Sequence, residues 1–218
     1  MNIRVQFLCL LLLFLGCCQY NDNNSILNMN TSKNPNAIEW EGFIKSLGST
    51  DSELRQRSAE QLIAIGKQSA NQRTDISQEL IKQGKTICLE KNSSLFSRTS
   101  FNKLRAISDI LAEMESIEAL DMLIDCSDYV ENIGGLSPFH SATMPAILKY
   151  KEKARQILMK KWYTSSSTIK CNIANALTET GRAEGAEVKS FLKNRIEHES
   201  DKVVLECLGI SLNHLNRK

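Results

Sequence analysis

The chain has 218 residues and a formal net charge of +2, with 42% hydrophobic and 24% charged residues. This is the composition of an ordinary globular protein, so wholesale disorder is excluded, and the near-neutral charge gives no reason to expect nucleic acid as a partner. Only 3 prolines, 10 glycines and 6% aromatic residues are present. Such a chain lacks the turn and strand chemistry of a β-sandwich or barrel, and we expect an all-α fold.

The first 16 residues have the pattern of a secretory signal peptide. Arg4 supplies a positive charge, and residues 5–16 are apolar apart from Gln6. This run is shorter than the roughly 20 residues that a membrane-spanning helix needs. We therefore expect residues 1–16 to be a signal peptide and the protein to be exported.

The end of this leader, Leu13-Phe14-Leu15-Gly16-Cys17, resembles the lipobox of bacterial lipoproteins. In that family a small residue precedes a cysteine whose thiol receives diacylglycerol before cleavage on its amino side. The resemblance implies that Cys17 is lipidated and anchors the protein to a membrane of the bacterial cell envelope. The alternative is an ordinary secretory signal, which would give a secreted or periplasmic soluble protein.

The segment after the leader is polar and rich in asparagine, with the sequence QYNDNNSILNMNTSKNPN. Such a segment cannot bury enough apolar surface to fold by itself. We therefore expect residues 17–36 to form a flexible tether and residues 37–218 to form the folded domain.

Helical periodicity recurs in this domain, in residues 51–70, 98–120 and 166–188. Each segment has apolar residues at i, i+3 or i+4, and i+7, and a second apolar helix follows each one. Gly66 and Gly181 stand where a helix C-cap favours a left-handed residue, whereas Met114 replaces this glycine in the second segment. The final segment, SDKVVLECLGISLNHL, restarts the pattern about 35 residues after SSSTIKCNIANAL, with Ser200 or Asp201 as its N-cap.

The order Leu54, Ala59, Leu62 and Gly66 after Asp51, repeated in part around Cys171–Gly181, resembles the short HEAT-like repeats of bacterial and bilin-lyase-type proteins. The resemblance implies an α-solenoid, a superhelix of antiparallel helix pairs. The alternative is a non-repetitive helical bundle. The bilin-lyase branch contains enzymes, but no residue of this chain specifically selects that activity.

Four cysteines lie in the predicted domain: Cys88, Cys126, Cys171 and Cys207. They stand singly in apolar helical patterns, without a CxxC pair or a neighbouring histidine, so we expect no zinc site. Isolated cysteines on helices usually act as small buried apolar residues, and we expect this here. Oxidation into two disulfides is the alternative for an exported protein.

Charge is distributed unevenly along the domain. No Lys or Arg lies between Arg105 and Lys149, where acidic residues accumulate, and a basic segment with aromatic residues follows. We expect an interaction surface here, formed by His140, Lys149, Tyr150, Lys153, Lys160, Lys161 and Trp162. The alternative is that adjacent repeats present complementary solvated faces. The irregular stretch 131–146, with two glycines and two prolines, is a predicted loop. It either is an irregular connection between two repeats or lies on the binding face of the solenoid.

The sequence contains no HExxH pair, G-x-S-x-G elbow, Walker loop or GxGxxG. We therefore expect no catalysis, no cofactor and no metal, and a lipid-anchored scaffold for protein partners. The alternative is a helical enzyme or ligand-binding protein that uses His140 and the 131–146 loop. That alternative predicts a deep apolar pocket beside the loop, ringed by perturbed titratable groups.

Overall fold

The computed structural model of the protein describes residues 40–90, 97–130, 141–181 and 186–217. The predicted signal peptide, the tether, Cys17 and His140 lie outside the described residues. The described residues form α-helices and no β-strand, which confirms the predicted all-α class. The helices are α1 (Trp40–Ser46), α2 (Ser52–Gln68), α3 (Ala70–Leu89), α4 (Arg98–Glu113), α5 (Leu120–Asp125), α6 (Met144–Lys149), α7 (Glu152–Lys161), α8 (Ser167–Thr180), α9 (Ala186–His198) and α10 (Lys202–Asn216).

Five of these helices begin at a side chain that caps their free backbone N–H groups. The Asp51 carboxylate accepts from the N–H groups of Glu53 and Leu54 at the start of α2. The Asp201 carboxylate caps α10 in the same way, which confirms one of the two residues predicted for this role. Serine hydroxyls cap α3, α4 and α8. The cap predicted for α10 is therefore observed, and four other helices begin with the same Asp or Ser chemistry.

Helices that are two positions apart in the chain pack against each other, in two series. Helix α2 contacts α4, α4 contacts α6, α6 contacts α8, and α8 contacts α10; the intervening helices follow a second series in which α3 contacts α5 and α5 contacts α7. Residues 39–218 form one compact unit. The apolar faces predicted for α4 and α8 are buried in its core, with Leu104, Ile107, Leu111, Ile173 and Leu177 almost fully inaccessible. None of the described helices is long and apolar enough to cross a membrane.

The predicted glycine C-caps are wrong in conformation. Gly66 lies inside α2, and Gly181 caps α8 with a right-handed φ of −88°. Both glycines serve close packing instead. A Cβ at Gly181 would lie 2.7 Å from the Val188 Cγ2 atom, and one at Gly66 would collide with the Met114 thioether. Small size, rather than left-handed backbone, is what these positions require.

The left-handed residue occurs in the second segment, where the sequence has no glycine. Glu115 has a φ of 53° and follows the C-cap residue Met114 of α4. Its N–H donates to the Ala112 carbonyl, and the Ser116 N–H donates to the Leu111 carbonyl, at 3.0 Å each. These two bonds define a Schellman motif, which satisfies carbonyls at the end of α4.

The predicted loop 131–146 is shorter than expected at its C-terminal end. Residues 131–140 lie outside the described part of the chain, but Val130 and Ser141 pair in an antiparallel bridge. The Ala142 N–H donates to the Tyr129 carbonyl at 3.0 Å. Helix α6 then begins at Met144 with Pro145 in its first turn, where a proline needs no hydrogen-bonded N–H.

The four cysteines of the domain form two disulfides, contrary to the expectation that they are simple buried apolar residues. Cys88 at the end of α3 is bonded to Cys126 at the end of α5, 38 residues later. Cys171 in α8 is bonded to Cys207 in α10, 36 residues later. Each bond joins one helix of a packed series to the next helix of that series.

Substitutions at two glycines should separate packing from helix propensity. We expect Gly181→Ala to lower the free energy of unfolding by about 2 kcal/mol, because the new methyl group displaces Val188. Gly209 lies within α10 with nothing near its missing Cβ. Gly209→Ala should therefore raise the free energy of unfolding by about 0.5–1 kcal/mol. Urea unfolding measures both free energies. If the two substitutions change stability in the same direction, the packing role assigned to Gly181 is wrong.

Removal of one disulfide should destabilise the protein mainly through the unfolded chain. We expect Cys171→Ala with Cys207→Ala to lower the free energy of unfolding by about 3 kcal/mol under oxidising conditions. The same comparison in the presence of dithiothreitol is the control, since the bond is then absent from both proteins. A difference that persists unchanged under reduction would show that packing, and not the covalent link, is responsible.

Candidate interaction surface

The described residues of the predicted interaction surface lie on α6, on α7 and on the 3-10 turn Trp162–Thr164 that directly continues α7. Lys149 ends α6, and Tyr150 follows it. Lys153, Lys160 and Lys161 belong to α7. His140 lies outside the described residues. The described residues of the predicted surface therefore belong to one continuous segment, residues 149–162, in which some side chains are buried and others exposed.

The two aromatic residues of this set are buried. Tyr150 is 5% exposed and Trp162 is 3% exposed. The Tyr150 hydroxyl donates to the Ser116 carbonyl at 3.1 Å, and burial, with nearby carboxylates adding to its effect, raises the pKa of this phenol. The Trp162 ring meets Phe191 of α9 edge to face, with the ring centroids 5.9 Å apart. Both residues contribute to the core and offer no exposed surface to a partner.

Lys149 is neutralised by carboxylates of α4. Its Nζ atom lies 3.1 Å from Oδ1 of Asp109 and 3.1 Å from Oε1 of Glu113. Burial acts to lower the pKa of this amine, but the hydrogen bonds to Glu113 and Asp109 outweigh it and raise the pKa. Lys149 is therefore charged and already paired.

Lys153 and Lys161 of α7 are paired in the same manner. Lys153 donates to the carboxylate of Glu115, and this hydrogen bond lowers the pKa of that carboxyl. The Lys161 Nζ atom lies 2.8 Å from Asp125 and 3.6 Å from Asp121, both on α5. The acidic and basic segments thus meet across neighbouring helices, which supports the alternative of complementary adjacent faces for these lysines.

Lys160 differs from its neighbours. It is exposed and has no carboxylate within ion-pair distance among the described residues. Three residues further on, Tyr163 is 65% exposed, although aromatic side chains are usually covered. The guanidinium of Arg195 in α9 lies 4.9 Å from the centroid of the Tyr163 ring. The sequence singled out Lys160 but missed the Tyr163–Arg195 contact, because the two residues are 32 positions apart.

An open groove lies between α1, α3 and α4. Its volume is about 460 Å³, and its charged lining residues are Glu41, Lys45, Lys82, Glu90 and Lys103. Burial lowers the pKa of Lys103, against the opposing effect of Glu79. The groove carries both signs of charge. No group of His, Cys, Asp and Glu within the described ranges could hold a metal ion.

Comparisons with known proteins identify no relative. No family model matches the chain, and neither a curated protein nor a solved structure matches it. The resemblances to lipoprotein leaders and to HEAT-like repeats therefore depend on the residues quoted above.

A further ionic contact connects α8 to the junction between α9 and α10. Lys170 of α8 lies 2.7 Å from the carboxylate of Glu199, whose side chain is only 11% exposed. The Ser167 hydroxyl donates to Asp201, the N-cap of α10. These hydrogen bonds are the largest cause of the lowered pKa of each carboxyl. Together with the Cys171–Cys207 bond, they connect the start of α8 to the α9–α10 junction.

This contact should weaken in acid. A carboxyl whose pKa is lowered in the folded state adds stability above its unfolded pKa of about 4, and that stability is lost as the pH falls through the lowered value. We expect Lys170→Met to reduce stability to urea at pH 7 and to have a progressively smaller effect below pH ~4.

Lys85→Met is the matched control for this prediction, since Lys85 is exposed on α3 and has no ion pair with another described residue. It should change stability little at either pH. An effect of Lys170→Met that does not shrink in acid would contradict an ionic origin.

Proposed function

We propose that the protein is an exported, lipid-anchored scaffold in which HEAT-like helix pairs form an α-solenoid and bind other proteins. The observation that carries this proposal is that each of α2, α4, α6 and α8 packs against the next helix of the series that ends at α10. The helices α3, α5 and α7 form a second series with contacts of the same kind. In a solenoid each repeat contacts mainly its neighbours, and the two series give such contacts. A broad surface of this kind binds a partner through many dispersed contacts rather than through one pocket.

Export is supported by the two disulfides as well as by the leader. Disulfides persist in oxidising compartments and are rare where thiols are kept reduced. Both bonds join helices of one compact unit, so they belong to the folded domain itself. A protein that matures outside the cytoplasm can form them as it folds.

Lipidation at Cys17 can be tested by substitution. We expect Cys17→Ser to release the protein from the membrane fraction, since the acyl chains would attach to this thiol. Cys18→Ser, one residue further on, should leave it there. Intact-mass measurement should find a mature N-terminus at Cys17 with added acyl chains. A mature chain that is unmodified or begins elsewhere would overturn the anchor.

The scaffold role predicts a protein partner in the native envelope. Crosslinking in intact cells, followed by purification of the protein, should recover the same partner in repeated experiments. Failure to recover any reproducible partner would count against a scaffold.

A further inference from the structure

An exposed aromatic ring lies on a rigid support beside α7. Tyr163 is 65% exposed, and the residue before it, Trp162, is buried and packs against Phe191. The Arg195 guanidinium is held between two rings, 4.9 Å from the centroid of Tyr163 and 5.6 Å from that of Phe191. The ring and the guanidinium are therefore positioned before any partner arrives, which reduces the conformational entropy lost on binding.

The same place carries positive charge that the protein does not neutralise. Lys149, Lys153 and Lys161 each contact a carboxylate of a preceding helix or turn. Lys160 and Arg195 have no carboxylate within 4.0 Å in the part of the chain that the structure describes. Lys160 lies three residues before Tyr163 on continuous helical backbone, so the two side chains share a face. Arg195 does donate a hydrogen bond to the Asn194 side-chain oxygen, but neither its charge nor that of Lys160 is balanced by a described carboxylate. Two cations without an ion pair thus flank one exposed ring.

We propose that Lys160, Tyr163 and Arg195 bind an acidic segment of a partner protein, in which carboxylates flank an apolar residue. Tyrosine and arginine dominate the binding energy of protein interfaces. The guanidinium donates paired hydrogen bonds to a carboxylate, the Lys160 amine attracts a second one, and the Tyr163 ring covers the apolar residue between them. This inference rests on the proposed scaffold function and assigns the chemistry of its partner.

A protein segment fits this surface better than an anionic membrane does. Membrane-binding clusters commonly contain about 4–8 Lys or Arg residues, each adding a modest attraction. Here three of the five lysines in residues 149–163 form internal ion pairs, and the Tyr163 ring is flanked by Lys160 and Arg195. A single ring with two charges suits one short peptide rather than an extended layer of headgroups.

The direct test uses the full chain and a fluorescent synthetic peptide with the sequence EEELWEEE, titrated by fluorescence polarisation. We expect binding that Tyr163→Ala and Lys160→Glu each weaken at least ~10-fold, as for residues central to an interface. Tyr163→Ala leaves the net charge unchanged, so its effect cannot come from long-range attraction. Lys85→Glu on α3 is the matched control for Lys160→Glu and should leave affinity within about 2-fold, since Lys85 is exposed and outside the patch.

Circular dichroism melts of each variant should show that the fold is intact, because both substituted side chains are exposed. Absence of peptide binding at millimolar concentration would overturn the proposal. Equal weakening by Lys85→Glu would also overturn it, since binding would then follow overall charge. So would binding of phosphatidylglycerol vesicles in a Lys160-dependent manner without peptide binding.

The crosslinking experiment separates this proposal from the scaffold function. If a partner is recovered equally with the Tyr163→Ala and Lys160→Glu variants, the scaffold stands and this surface is wrong. If the peptide binds as expected but no partner is recovered from cells, the surface chemistry stands and the scaffold function is wrong. Loss of the recovered partner in both variants, with retention in Lys85→Glu, supports both.

Discussion

Each of the helices α2, α4, α6, α8 and α10 must bury apolar residues, and it does so against its neighbours in this series and against a helix adjacent to it in the chain. The chain alternates between this series and the helices α3, α5 and α7, so that one core runs through the whole unit. Glycine at positions 66 and 181 allows the close approach on which this core depends. The disulfides and the cross-helix ion pairs act between elements that this packing brings together.

Local chemistry explains why so much of the fold could be predicted. Capping residues such as Asp51 and Asp201 and the apolar spacing of α4 and α8 act within one helix, so they are readable from a short stretch of sequence. The left-handed residue was misplaced because Glu115 adopts this conformation under tertiary and hydrogen-bonding constraints that a glycine rule does not represent. The sequence did contain a signal for the two disulfides. Their separations of 38 and 36 residues are close to the spacing at which the helical pattern recurs.

The candidate surface was harder to predict, because charge along the sequence does not show which charges meet in space. The acidic and basic segments were recognised, but the packing of α4, α5 and α7 decides which lysines are neutralised. Tyr150 and Trp162 were predicted to lie on an interaction surface because they stand in the basic segment, but both are buried. Contact between Tyr163 and Arg195 depends on how α9 lies beside α7, which periodicity within either helix cannot report.

The two disulfides enclose separate stretches of chain, 88–126 and 171–207, and neither loop overlaps the other. This arrangement has a mechanical consequence for a protein held at one end and pulled from the other. Separations of 38 and 36 residues remove about 130 Å and 120 Å from the length to which the unfolded chain can be drawn. The segments outside the two loops would extend under tension, whereas the residues between bonded cysteines would carry no force. Oxidation state thus sets the reach of the chain as well as its stability.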